Sequence, residues 1–188
     1  MKTLVCLLEE PSAKNMLNTV LPKLLPADIE YKLFAFQGKS DLEKNIIGKI
    51  RYWKLQDTYF LILRDQDSGD CRQIKRHLQE LIDQTGKSDR CLIRIACHEL
   101  ESFFLGDLHA VEQGLQISGL AACQRKAKFR RPDSLTNAAE ELFRLTKKQY
   151  QKMEGSRLIS PYLRLDGSNQ SVSFRFLLSG IRKLLSLP

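Results

Sequence analysis

The residues of this 188-residue chain best suited to chemistry are acids in three short groups: Glu9 with Glu10, Asp65 and Asp67 with Asp70, and Glu99 and Glu101 with Asp107. In Leu63-Arg64-Asp65-Gln66-Asp67, extended backbone would turn both aspartates the same way, because residues two apart share a face. Two carboxylates that close raise each other's pKa unless a cation lies between them. Few, hard, water-accessible oxygen ligands suit Mg²⁺ or Mn²⁺ better than zinc. Taken alone, an Asp-x-Asp pair is common in surface loops, and Glu9-Glu10-Pro11-Ser12 also reads as an acidic helix start favoured by the helix dipole. Their place in the chain lifts both above those bland explanations.

Each group follows a segment of strand character. Thr3 to Leu8 is a continuous apolar run, and Pro11-Ser12-Ala13 then opens a helix whose Met16, Leu17, Val20, Leu21, Leu24 and Leu25 recur at helical spacing until Pro26. Glu30 to Phe36 is rich in strand formers, and Ser40-Asp41-Leu42-Glu43 has the capping-box form that starts a second helix through Ile46, Ile47 and Ile50. Thr58 to Leu63 is apolar on both faces, as strands inside a helix-covered parallel sheet must be. Ile74, Leu78, Leu81 and Ile82 mark a third helix, and Cys91 to Cys97 a fourth strand. This alternation predicts, over residues 1–122, an α/β domain with a mainly parallel, Rossmann-like sheet flanked by helices. The common doubly wound order 2-1-3-4 makes strands one and three neighbours. Glu9 would then meet Asp65 and Asp67 at the carboxyl edge, where such sheets bind ligands.

Beyond residue 98 helix follows helix. Glu99 to Leu105 is expected to be helical, Asp133 to cap a segment through Ala138, Leu142, Phe143 and Leu145, and Val172 to Leu187 to carry a helical stripe, while Lys126 to Arg131 reads as an exposed basic loop. Residues 123–188 form a basic, mostly helical C-terminal extension packed on the α/β domain. They carry 14 Lys and Arg against 5 Asp and Glu, or +9, which leaves 16 against 17, or −1, for residues 1–122. That asymmetry suits a polyanionic partner and equally a solvated basic surface. The candidates for contacting a nucleic-acid backbone are Arg125, Lys126, Lys128, Arg130, Arg131, Lys147 and Lys148, with Lys152 beside them.

A composition 43% hydrophobic and 28% charged excludes the disordered and membrane classes. No run approaches the ~20 apolar residues of a spanning helix, and the N-terminal apolar run is too short for a secretory signal. A cytoplasmic protein without membrane contact is expected. Five cysteines without a CxxC pair suggest neither a disulfide framework nor a zinc finger, and Cys97 and His98, adjacent in a strand, point to opposite faces. His98 and His109 are candidate proton shuttles, although structural histidines are commoner. Trp53, Phe103 and Phe104 are expected in the core.

Five stretches also carry a resemblance. They are Leu8-Glu9-Glu10-Pro11-Ser12-Ala13, Phe36-Gln37-Gly38-Lys39-Ser40-Asp41-Leu42, Arg64-Asp65-Gln66-Asp67 with Asp70-Cys71, the segment from His98-Glu99-Leu100-Glu101 to Gly106-Asp107, and Ser171-Val172-Ser173-Phe174-Arg175-Phe176. Together they resemble the bacterial family called domain of unknown function 4276, which is similar to Toprim domains, the catalytic modules of topoisomerases, primases and overcoming-lysogenization-defect nucleases. Toprim kinship implies a glutamate after the first strand and an Asp-x-Asp after the third around Mg²⁺, here Glu9, Asp65 and Asp67. Toprim domains usually follow that glutamate with glycine; this chain has Glu10-Pro11, which does not offer glycine's close backbone approach. Arg64 is either a further phosphate contact or a partner for the carboxylates.

The expected activity is Mg²⁺- or Mn²⁺-dependent hydrolysis of phosphodiesters in DNA or RNA, with Glu9, Asp65, Asp67 and Glu101 catalytic. The expected metal ligands are Glu9, Asp65, Asp67, Asp70 and Asp107, and the resemblance implies an ATPase partner. A non-catalytic binding or regulatory subunit is the alternative. A phosphoacceptor receiver fits less well, because Ile95-Ala96-Cys97-His98 lacks the required hydroxyl and no fifth strand follows. A phosphatase would usually carry its Asp-x-Asp on the first strand.

Overall fold

The structure, a computed structural model, describes residues 1–187. Strands β1 (Thr3–Leu8), β2 (Glu30–Ala35), β3 (Thr58–Asp65) and β4 (Cys91–Ala96) form one all-parallel sheet in the order β2-β1-β3-β4. The expected order and class are thus observed. Helices α1 (Pro11–Leu24), α2 (Lys39–Arg51) and α3 (Cys71–Asp83) make the crossovers that parallel strands require. Central β1 and β3 are buried along almost their whole length, as their two-sided apolar character demands. The register sets Leu8 beside Leu63 and Asp65 beside Ala96, so β3 runs two residues past the end of β1.

Side-chain alternation divides the interior into two cores. Val5 and Leu7 face α2 and α3, together with Leu42, Ile46, Phe60, Ile62 and Leu78. Leu4, Cys6 and Leu8 face the opposite side, with α1 and the helices that follow β4. These are α4 (Glu101–Leu105), α5 (Leu108–Leu115), α6 (Ala127–Arg130), α7 (Ala138–Leu145), α8 (Lys152–Ile159) and α9 (Val172–Leu185). The second core joins Leu17 and Phe103 to Leu142, Ile159, Phe174 and Leu177, so residues on either side of position 122 share it. Helix α8 lies on α1 and α5, and α9 packs along β4. No helix among the described residues is long and apolar enough to cross a membrane.

Several local expectations are corrected. Helix α2 begins one residue before Ser40, with Gly38 as N-cap, and Asp41 in its first turn accepts from the preceding Gln37 N–H at 3.0 Å. Asp133 does not cap α7, whose N-cap is Asn137. Its carboxylate accepts from the Ser171 hydroxyl at 2.6 Å and the Ser173 N–H at 2.7 Å, which ties it to the start of α9. Lys126 to Arg131 is not a free loop but holds the single turn α6, anchored by buried Phe129. Phe103 and Phe104 are core residues, whereas Trp53 is only half-buried, edge-on to Phe34 and Phe60.

Gly114 on α5 marks where α8 presses closest. A β-carbon there would come within 2.6 Å of the Ile159 Cα and the Leu158 carbonyl oxygen, backbone atoms that have no room to yield. Gly114→Ala is therefore expected to destabilise the protein by about 1–3 kcal/mol through overpacking. Urea unfolding should show the loss in a single transition if the segments sharing this core unfold together.

Candidate active site at the carboxyl edge of the sheet

Because β1 and β3 are neighbours, Glu9 and Asp65 meet at the ends of their strands. The Asp65 N–H donates to Glu9 Oε2 at 3.0 Å, continuing the ladder with a side chain where β1 has ended. Asp65 itself is 7% exposed, and no donor among the described residues reaches its carboxylate; its hydrogen bonds run through the backbone. Burial raises its pKa well above the usual aspartate range, and the charges of Glu10, Glu101 and Glu9 raise it further against the opposing charge of Lys152. Glu9 is raised as well, chiefly by desolvation, with the Asp65 N–H and Arg64 pulling the other way.

Glu101 closes the cluster from the first turn of α4. It is completely buried; Tyr150 donates to its Oε1 at 2.8 Å, and its Oε2 has no partner among the described residues. Desolvation lifts its pKa while Lys152 and the Tyr150 hydroxyl lower it. Glu10 enters from the other side, accepting from the Ser12 hydroxyl and pairing with the Lys152 ammonium at 2.6 Å. Burial disfavours the Lys152 charge, but the bond to Glu10 and the charges of Glu101, Glu10 and Asp65 outweigh it and raise its pKa.

Two contributors, Tyr150 and Lys152, come from the extension. The turn that delivers them passes through Lys147 and Lys148, both with left-handed backbone at φ 51° and 70°. That conformation is costly for residues with a β-carbon. Buried Thr146 holds the turn closed, its hydroxyl accepting from the Tyr150 N–H at 3.0 Å.

The Asp-x-Asp pair does not converge as simple alternation requires. Strand β3 stops at Asp65, and Asp67 adopts φ 53° with its N–H bonded to the His98 carbonyl at 2.7 Å. Its carboxylate lies 3.4 Å from the Lys39 ammonium, although its charge still reaches Glu9. Asp70 is engaged outside the cluster, where it N-caps α3 by accepting from the Gln73 N–H at 2.8 Å. Asp107 is also taken up elsewhere. It N-caps α5, and both its oxygens are held by the Arg164 guanidinium at 2.9 and 3.1 Å. Neither appears among the charges that act on Asp65. Arg64 proves to be a partner for carboxylates: it is buried, 2.7 Å from Glu43 and 3.7 Å from Glu9.

Glu10, Tyr150 and Lys152 are the members that sequence reasoning left out of the acidic site. Glu10 was visible only as the neighbour of Glu9; the other two carry no spacing signal, since they lie far along the chain. Of the basic residues, Lys128 pairs with Glu141, and Arg125, Lys126, Arg130 and Arg131 are exposed. Lys147 and Lys148 are likewise exposed, on the turn beside Tyr150. His98 is half-buried with its Nδ1 3.2 Å from the Asp67 carbonyl oxygen, and His109 is exposed.

Among the described residues no three His, Cys, Asp or Glu side chains form a ready-made cage for a metal ion. Mg²⁺ does not need one, since it usually keeps several waters and takes one or two carboxylates. The unpartnered Glu101 Oε2 and the undonated carboxylate of Asp65 fit that role.

The family described as "Domain of unknown function (DUF4276)" matches residues 8–182. The chain belongs to this family. The match spans Glu9, Asp65, Glu101, Tyr150 and Lys152, so the whole cluster lies inside the shared region. Comparison with curated proteins and with solved structures finds no match.

Removing the Asp65 charge should stabilise the fold. Its pKa is raised on folding, so stability attributable to its protonated form is present below the unfolded aspartate range and lost as pH rises through the folded value. The groups setting that value are Glu9, Glu10, Glu101 and Lys152. Asp65→Asn is expected to gain about 0.5–2 kcal/mol at neutral pH, as when a strained site is relieved. Thermal unfolding at a series of pH values should show the gain shrinking as pH falls.

Proposed function

We propose that the protein is a divalent-metal-dependent phosphodiesterase acting on DNA or RNA. The supporting observation is the buried Asp65 carboxylate, which accepts no hydrogen bond from the described residues and is crowded by Glu9, Glu10 and Glu101 at the carboxyl edge of a parallel sheet. A buried carboxylate whose charge is opposed by three other acids is an expensive arrangement for stability alone, and groups with such shifts gather where chemistry is done.

Asp65 and Glu101 would hold Mg²⁺ or Mn²⁺, with Glu9 or Glu10 contributing as further carboxylates. Such an ion, when bound, supplies charge neutralisation at a phosphate and a more acidic water. The chain's own groups do the rest. Arg64 and the Asp65 N–H fix the Glu9 carboxylate, whose raised pKa makes it a stronger proton acceptor than an ordinary glutamate. Tyr150 holds Glu101 by one oxygen and leaves the other available. Lys152, with its side chain half-exposed, can exchange its bond to Glu10 for one to a phosphate oxygen. Asp67, beside Lys39, sits at the rim and shapes the charge on Glu9. All five cysteines are free thiols, as suits a cytoplasmic protein. An ATPase partner that licenses the activity belongs to the same proposal.

One observation favours a second class. Lys152 and Arg64 already supply internal counter-charges, as a self-neutralised site in a non-catalytic binding subunit would have.

Incubation with DNA and RNA in Mn²⁺ or Mg²⁺, with EDTA as the control, separates the two. Metal-dependent cleavage that falls at least ~100-fold in Asp65→Ala and Glu101→Gln, on the scale of losing a principal electrostatic stabiliser, supports the enzyme. Asp67→Ala should cost less, because its carboxylate is turned toward Lys39. Cleavage unaffected by Asp65→Ala would overturn the assignment. Mn²⁺ should also raise the melting temperature of the wild type but not of Asp65→Ala, by about 2.7 kcal/mol of stability at a hundred times the dissociation constant.

A further inference from the structure

A groove of about 890 Å³ runs along the free edge of β4, between α3 on one side and the start of α9 on the other. Four exposed cations line it: Lys75 from α3, Arg130 and Arg131 from the end of α6, and Arg175 from α9. None of the four forms a salt bridge among the described residues, in contrast to Lys128, Arg144, Lys152, Arg157 and Arg164. Asp133, the acid in the lining, has one oxygen bonded by the Ser171 hydroxyl and the other by the Ser173 N–H. Between the cations the surface is apolar, with Val172 43% and Phe176 61% exposed. Leaving a phenylalanine that open costs hydrophobic stabilisation unless something covers it.

One end of the groove lies beside the loop that follows Asp65. Its lining includes Cys71, which follows the Asp70 cap, and Cys97, which precedes His98, and the His98 carbonyl accepts from the Asp67 N–H. A chain lying in the groove would therefore run out beside the loop from Asp65 to Asp70.

From this arrangement we propose that the β4 groove binds single-stranded nucleic acid and leads it to the acidic cluster; the proposal deepens the phosphodiesterase assignment and rests on it for the chemistry. Three guanidinium groups and an ammonium match a row of phosphates. Phe176 offers a face on which an unpaired base stacks, a contact that a duplex, with its base faces hidden, cannot make. An acidic peptide adding as a fifth strand fits less well. Edge pairing needs the outward backbone groups of β4, yet the Ile93 carbonyl already accepts from Arg94 at 2.9 Å and the Cys97 N–H faces the Ser173 hydroxyl at 3.5 Å.

Fluorescence anisotropy in EDTA, which removes cleavage from the measurement, tests this with a labelled single-stranded oligonucleotide, the matching duplex and polyglutamate. The single strand should bind tightest, with affinity falling as salt rises. Arg131→Glu combined with Arg175→Glu should weaken it at least tenfold, and Phe176→Ala by roughly 5- to 150-fold, the range of one lost stack. Lys54→Glu, in the loop before the amino end of β3 and outside the groove lining, should leave it unchanged. Tighter binding of the duplex or of polyglutamate, or wild-type affinity in the Arg131→Glu, Arg175→Glu protein, would overturn the proposal. The two assignments fail separately. Single-strand binding that depends on the groove in a protein that never cleaves removes the nuclease and keeps the groove; metal-dependent cleavage indifferent to Arg131, Arg175 and Phe176 does the reverse.

Discussion

The organising constraint of this protein is a negative charge carried to the end of a buried strand. Strand β3 is apolar from Phe60 to Leu63 and lies between β1 and β4, so its last residues, Arg64 and Asp65, are delivered into a space with little water. A carboxylate there is stabilised only by its surroundings, and these are partly hostile: Glu9, Glu10 and Glu101 all raise its pKa. Much of the architecture beyond β4 can be understood as the means of holding such a cluster together.

The counter-charges come from three places. Arg64 lies beneath Glu9 and Glu43, inside the sheet edge. Lys39 comes from the first turn of α2 and meets Asp67 at the rim. Lys152 comes from α8, across the shared core, and Tyr150 accompanies it to orient Glu101. The left-handed backbone at Lys147 and Lys148, just before this pair, is strain placed where precise delivery of side chains is needed. The extension is thus a structural part of the acidic site as well as a basic surface. Its start and its last helix also frame the β4 groove, so acid site and cationic groove depend on the same packing of α6 to α9 against the sheet.

The alternation of apolar runs and helical stripes made the α/β class, the four strands and the doubly wound order legible, and with the order came the meeting of Glu9 and Asp65. These follow from local periodicity and from the few ways parallel strands can connect. Asp67 departed from expectation because a two-residue period holds only while the strand lasts, and a single left-handed residue redirects everything after it. Asp70 and Asp107 looked like ligands by residue type. Each lies one residue before a helix, where free N–H groups compete for a carboxylate, and in Asp107 the Arg164 guanidinium completes the capture. Asp133 shows the converse: expected to cap α7, it instead accepts from the Ser173 N–H in the first turn of α9, whose N-cap is Ser171.

By itself the sequence determined the sheet, the two-sided burial of β1 and β3, the acidic character of the carboxyl edge and the excess of positive charge after residue 122. Each is set by neighbours within a few positions or by composition. Only the tertiary structure decided which acids share a site, that Lys152 and Tyr150 join Glu10, Asp65 and Glu101, and which cations remain unpaired along β4. The physical reason is that electrostatic and hydrogen-bond partners are selected by distance in space, and residues 9, 65, 101 and 152 become neighbours only after four parallel strands and the helices around them have closed one core.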